Sequence, residues 1–150
     1  MEDIGMVVRA SEAAGTVREQ GKALGRFTDA AVFGYARLKA GLSGEDVATL
    51  VRDGRIRRSD VEMVIPARTL NRRIKEGQTL RLDEADAVAR LVRVRGHAER
   101  VFDDAALAER WLSAPNPELG DETPIEMART DVGAREVEAV LLRIEHGVVG

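Results

Sequence analysis

The side chains best placed to do chemistry lie together at Arg68, Thr69, Asn71, Arg72, Arg73 and Lys75, inside the stretch ARTLNRRIKE. None is a nucleophile paired with a base, so the chemistry open to them is recognition rather than bond making. Arg can bridge the edge of a guanine and Asn can pair with an adenine, while Thr and the backbone N–H groups at a helix start can hold phosphates. Leu70 and Ile74, four residues apart, give the same stretch an apolar seam to face a core. On pattern alone two readings stand: a solvated basic face that binds nothing, or a reader of DNA. The preceding residues bear on the choice. Ser59-Asp-Val-Glu62 has capping-box spacing and predicts a short helix. Pro66 disfavours helical geometry at Ile65 and itself suits the first turn of the next helix. A short capped helix, a tight break at Val64-Ile65-Pro66 and a basic helix have the layout of a helix-turn-helix. Val64, however, occupies a turn region where Gly is common.

The elements that must position this stretch are all helical. Thr28 can cap a helix reaching about Ala40 and closed by Gly41, and Ser43 precedes a helix carrying Val47, Leu50 and Val51, closed near Gly54. The basic helix runs from Ala67 to about Glu76 and stops at Gly77. Asp83 is the expected cap of a long helix from Glu84 to about Phe102, and Asp104 to Leu112 forms another, stopped by Pro115 and Pro117. After PNPELGDETP, Thr130 caps a last helix in which Val137, Val140, Leu141 and Ile144 fall at helical spacing before Gly147. No stretch alternates with period two. The expected fold is all-α: a leader at 1–27, a DNA-binding domain at 28–102 and a further helical domain at 103–150.

Composition narrows the function. The 150 residues include no cysteine, which excludes disulfides and thiolate metal sites. His97 and His146 stand on different predicted helices without metal-ligand spacing, so no metal and no cofactor is expected. No acid–base pair, nucleophile–base pair or phosphate-cradling glycine loop can be assembled, and the chain is read as not an enzyme. Without a long apolar run or a basic-then-apolar leader, no membrane association and a cytoplasmic location are expected. The net charge of −3 conceals a split. Residues 51–100 hold thirteen Lys/Arg against eight Asp/Glu, whereas 101–150 hold four against eleven. A basic middle and an acidic end suit two different partners.

The C-terminal third carries ordered short motifs: Trp111-Leu112, Pro115-Asn116, Leu119-Gly120, Pro124, Thr130, Gly133-Ala134-Arg135, Val137, Leu141, Ile144 and His146-Gly147. Read for physics alone they describe a helix end, an exit loop and a capped helix. In order and spacing they resemble the Xre/MbcA/ParS-type antitoxins, partners of RES-domain toxins. The resemblance extends over about residues 40–149 and takes in Arg68-Thr69-Leu70 with Arg72-Arg73, the segment from Asp83 to Asp86, Arg90, Arg93, Ala98 and Phe102. It departs at Asp121, where a second Gly is usual after Leu-Gly, at Met127-Ala128, where a Leu-rich pair is usual, and at Asp103, where Gly usually follows Phe. The resemblance implies a homodimer that binds operator DNA through its N-terminal domain, represses its own operon, and neutralises a RES-domain, NAD-consuming toxin by covering the toxin's active site. It implies toxin-binding roles for Trp111, Pro115, Asn116, Leu119, Gly120, Pro124, Thr130, Gly133, Arg135, Arg143, His146 and Gly147. The acidic end, with Glu118, Asp121, Glu122 and Glu126, would dock beside a pocket that attracts an anionic dinucleotide. A stand-alone helix-turn-helix regulator without a toxin, and a helical adaptor that binds only protein, also fit the residues.

Overall fold

Apolar side chains recurring on one face of successive short helices leave a chain of this kind one way to bury them, which is helix against helix. The computed structural model describes residues 34–147; the leader and Thr28 lie outside them. Among the described residues eight α-helices follow in order: α1 (Tyr35–Ala40), α2 (Gly44–Arg52), α3 (Arg58–Glu62), α4 (Ala67–Lys75), α5 (Leu82–Phe102), α6 (Ala105–Ser113), α7 (Pro124–Met127) and α8 (Asp131–Glu145). A 3-10 turn, Pro117–Leu119, sits between α6 and α7. Among the described residues there is no β-strand, only an isolated bridge between Ser43 and Thr79.

The long helix α5 is the axis. It packs against α1, α3, α6, α7 and α8, while α2 packs on α4. Val88, Leu91, Val92, Val94 and Ala98 of α5 are fully buried, and the buried apolar side chains form one continuous cluster from Leu42 to Leu141. Burying a Val or Leu side chain stabilises by about 1.5–3 kcal/mol, so α5 contributes most where the helices before and after it both pack on it.

Several helix ends differ from their sequence-based reading. Ser59 does not cap α3. Its N-cap is Arg57, which makes no side-chain cap bond, and Glu62 instead accepts from Arg58 Nε at 2.8 Å. Pro66 is the N-cap of α4 rather than its first helical residue. Asp83 lies inside α5, which starts one residue earlier. There Glu84 caps the end by accepting from the Arg81 N–H at 3.2 Å, because its longer side chain can fold back three residues. Ser43 does cap α2, and reciprocally: it accepts from Asp46 N at 3.1 Å while Asp46 accepts from Ser43 N at 2.9 Å. Thr130 caps α8 by accepting from Gly133 N at 3.0 Å. Val137, Val140 and Leu141 are buried, but Ile144, one turn further, is 39% exposed where α8 runs past the core.

Candidate nucleic-acid and protein interfaces

The basic stretch folds into α4, and the helix sorts its side chains by angle. Leu70 is buried and Ile74, Thr69 and Arg73 are half-buried, whereas Arg68, Asn71, Arg72 and Lys75 are exposed on the opposite side. Arg68, Arg72 and Lys75 make no side-chain hydrogen bond or ion pair with any described residue. The Asn71 amide oxygen accepts from Arg58 Nη2 of α3.

Arg73 is different. Its Nη2 lies 2.7 Å from Glu84 Oε1, its Nε 3.3 Å from Oε2, and its Nη1 donates to the Thr79 carbonyl at 3.2 Å. Both members of this two-pronged pair are largely buried, so Arg73 ties α4 to the start of α5 instead of facing out. Gly44 fixes the other side of α4. A Cβ there would fall 2.5 Å from the Arg73 carbonyl carbon and the Ile74 nitrogen, so only glycine lets α2 sit this close. The break between α3 and α4 holds no left-handed residue. Ile65 N donates to the Val61 carbonyl at 2.8 Å and Ile65 is fully buried. Val64 is therefore compatible with the turn, which has no need of glycine.

The C-terminal motif residues divide into builders and exposed groups. Trp111 is half-buried and packs on Phe102 at 5.7 Å between ring centroids, closing the α5–α6 corner. Asn116 organises the next loop. Its side chain accepts from Glu118 N at 2.9 Å, its carbonyl accepts from Leu119 N and Asp121 N, each at 2.9 Å, and its N–H donates to Glu122 O at 3.0 Å. Leu119 and Pro124 are buried beneath that loop. Gly120 has φ 66° and closes the 3-10 turn. Gly133 is pressed against the α7–α8 corner, where a Cβ would lie 2.0 Å from the Met127 carbonyl oxygen.

The exposed motif residues are Pro115, Gly120, Thr130, Arg135, Arg143, Ile144, His146 and Gly147. Arg135 pairs with Asp131 at 2.9 Å, and Arg143 with Glu118 at 3.1 Å. Two other residues of the resemblance are braces: Arg90 donates to the Arg129 carbonyl at 3.0 Å and Arg93 to Glu138 at 2.7 Å, binding α5 to the α7–α8 corner and to α8. The two departures at glycine positions are explained by the backbone. Asp103 (φ 50°) and Asp121 (φ 63°) are the non-glycine residues with positive φ among those described, a geometry that glycine adopts without penalty.

Residues 97–147 match a family model described as the Antitoxin Xre/MbcA/ParS C-terminal toxin-binding domain. An Antitoxin Xre of Pseudomonas putida is 34% identical over 113 residues, which cover 75% of this chain and 71% of that protein. The chain belongs to the Xre antitoxin family. A second Antitoxin Xre, from Photorhabdus laumondii, is 38% identical over 86 residues, 57% of this chain and 58% of that protein's length. One from Yersinia enterocolitica is 38% identical over 85 residues, 56% of this chain and 57% of that protein. The antitoxin thus acts within a toxin–antitoxin system, and the segment that matches the toxin-binding domain runs from the last turns of α5 through the end of α8.

A buried charge ring escaped the sequence reading. Arg95 of α5 lies 2.5 Å from Asp60 of α3 and bonds Glu109 of α6, and Glu109 in turn bonds Arg57 just before α3. Burial opposes the charge on Arg95, but its bonds to Glu109 and Asp60 outweigh that and raise its pKa above the ordinary value. Burial also opposes ionisation of Glu109, yet the hydrogen bonds from Arg95 and Ser113 and the Arg95 charge hold it at about 2. The signal was present: Arg95 interrupts the apolar face of Val88, Leu91, Val92 and Ala98. Among the described residues no group of three or more His, Asp or Glu could hold a metal ion, and no helix is long and apolar enough to cross a membrane.

Proposed function

We propose that this antitoxin joins two binding functions in one chain: operator recognition by α3 and α4, acting as a helix-turn-helix, and neutralisation of a toxin by residues 103–147. The observation that carries this reading is the contrast on α4 between a buried apolar seam and three outward cations, Arg68, Arg72 and Lys75, with no partner of their own. Such a face, following a short helix and a tight turn, fits the major groove. Arg68, Arg72 and Lys75 would contact phosphates or guanine edges, Thr69 the phosphate at the helix start, and Asn71 a base, with Arg73 holding the helix in place. A homodimer would present two such helices to a pseudo-palindromic operator in its own promoter, giving autorepression in the cytoplasm.

The toxin, in this reading, is a RES-domain protein that consumes NAD, and the C-terminal unit covers its active site without itself doing chemistry. The motif residues contribute in two ways: Trp111, Asn116, Leu119, Gly120, Pro124, Thr130 and Gly133 shape the surface, and Pro115, Arg135, Arg143, His146 and Gly147 lie on it. Co-expression tests the toxin half. The antitoxin should restore growth to cells expressing the RES-like protein encoded beside it, and loss of NAD should stop. A salt-dependent shift of its own promoter fragment tests the operator half. No rescue, or no shift at low salt, would refute the corresponding half.

A further inference from the structure

The toxin-binding segment is over fifty residues long by the family match, and several of its motif residues, Trp111, Leu119, Pro124 and Gly133 among them, are turned inward. Its exposed large apolar side chains are Leu107, Val132, Leu142 and Ile144; Val132, at 69%, is the most exposed. Val132 sits in the first turn of α8 and borders a groove of about 410 Å³ between α7 and α8, which lies wholly inside the matched segment. Met127 and Gly133 contribute apolar surface to the groove, and Glu122, Glu126 and Glu136 are its carboxylates.

None of these three carboxylates is ion-paired with a described residue; Glu126 accepts only from the Thr123 hydroxyl at 3.2 Å. Arg129 is the groove's single cation, against three acids. Three other carboxylates of this unit are already matched, Glu118 by Arg143, Glu138 by Arg93 and Asp131 by Arg135. The α7–α8 groove therefore combines an uncovered apolar side chain with an uncompensated negative rim.

We propose that this groove, centred on Val132, is where the toxin seats, and that the toxin supplies an aliphatic segment bearing a Lys or Arg whose cation meets Glu122, Glu126 and Glu136. The inference rests on the toxin-binding reading and narrows it to one surface. It also revises which acids matter, because Glu118 is engaged by Arg143 while Glu136 is free to face a partner. An uncovered apolar centre with a charged rim is the usual anatomy of a protein interface, in which the centre sets affinity and the rim sets salt dependence. Gly133 explains the groove's form: its missing side chain allows α8 to close on the Met127 carbonyl without filling the space.

The experiment uses the full-length antitoxin and the toxin encoded beside it, titrated against each other at several salt concentrations. Val132→Lys puts a cation where the toxin's should sit and is expected to weaken the complex by at least about tenfold. Its melting temperature and promoter-fragment shift should match the wild type. The triple variant E122Q/E126Q/E136Q should bind less tightly at low salt and lose most of the salt dependence. Leu107→Lys on α6, a comparable change outside the groove, should bind as wild type. Wild-type affinity and salt dependence in both groove variants would overturn the proposal, as would loss of binding in Leu107→Lys alone. A change in the self-association of the antitoxin by Val132→Lys, with toxin affinity intact, would assign the groove to a second copy and also overturn it. Failure of the wild-type protein to bind the toxin at all would instead refute the toxin-binding reading beneath it.

Discussion

The α2–α4 region and the C-terminal unit use recognisable residues in opposite ways. In α4 the polar residues that stand out in sequence are mostly those that face outward; Arg68, Asn71, Arg72 and Lys75 are exposed, and only Arg73 is turned to structural use. In the C-terminal unit many of the residues that stand out build the framework instead: Leu119, Pro124 and Gly133 are buried, and Asn116 holds its loop by four bonds to backbone groups. A helix that reads DNA must display its chemistry on a regular face, so type and spacing reveal it. A surface assembled from a loop and two helix ends depends on what holds the loop, so its motif records the framework. Exposed side chains such as Glu126, Val132 and Glu136 lie between the motif positions.

The strongest test of how far these regions are separate is the ring that joins them. Arg95→Met leaves Asp60 and Glu109 without their shared cation and should cost about 3–5 kcal/mol of unfolding free energy, read by chemical denaturation. Because Glu109 is held at about 2, below its ordinary range, its contribution is present above about pH 4.5 and lost as the pH falls toward 2. The stability gap between wild type and Arg95→Met should accordingly shrink as the solution is acidified from about pH 5. A constant gap would remove the ring from the account.

Two glycines come next. Gly133→Val would drive side-chain atoms into the Met127 carbonyl and Gly44→Ala would separate α2 from α4, with expected losses of about 3 and 2 kcal/mol. Since the apolar core is continuous through α5, each should lower one common melting transition. Two resolved transitions, each sensitive to one glycine, would show two independent units. A chain ending before Thr130 would lose Ala134, Val137, Val140 and Leu141 from beneath α5, and is expected to be destabilised throughout rather than only in its C-terminal unit.

Lys75→Gln, at the exposed end of α4, should weaken promoter binding by about 1 kcal/mol and reduce the salt slope by about one counterion. Toxin affinity should not move. The smallest effects are expected at Asp103→Gly and Asp121→Gly, each of which relieves a left-handed backbone and should stabilise by roughly 0.5–1 kcal/mol. A fall in melting temperature for either would mean that the Asp side chain contributes more than its backbone geometry costs.

The all-helical fold was legible because caps and stops are local. Ser43, Asp104 and Thr130 cap their helices as their types suggest, and Gly41, Gly54, Gly77 and Gly147 all have positive φ. Ser59 and Asp83 misled because a capping residue competes with its neighbours: Glu84 reaches the free N–H before α5, and Glu62 is drawn to Arg58. Arg73 was legible as basic but not as buried, since Glu84 is eleven residues away and only the packing of α4 on α5 brings them together. The charge ring was hidden for the same reason, with Asp60 thirty-five residues from Arg95. The α7–α8 groove had no sequence signature, because it is a space between two helices that close on each other at Gly133, and not a side chain.

The central claim, that operator recognition and toxin neutralisation occupy separate faces of one folded chain, is tested most directly by the double variant Arg68→Ala/Arg72→Ala. Promoter-fragment affinity, toxin affinity and melting temperature are to be measured on the same preparation. The account predicts that promoter binding weakens by at least about tenfold, while toxin affinity and melting temperature stay at wild-type values. Loss of both binding functions at an unchanged melting temperature, or full retention of promoter binding, would contradict it.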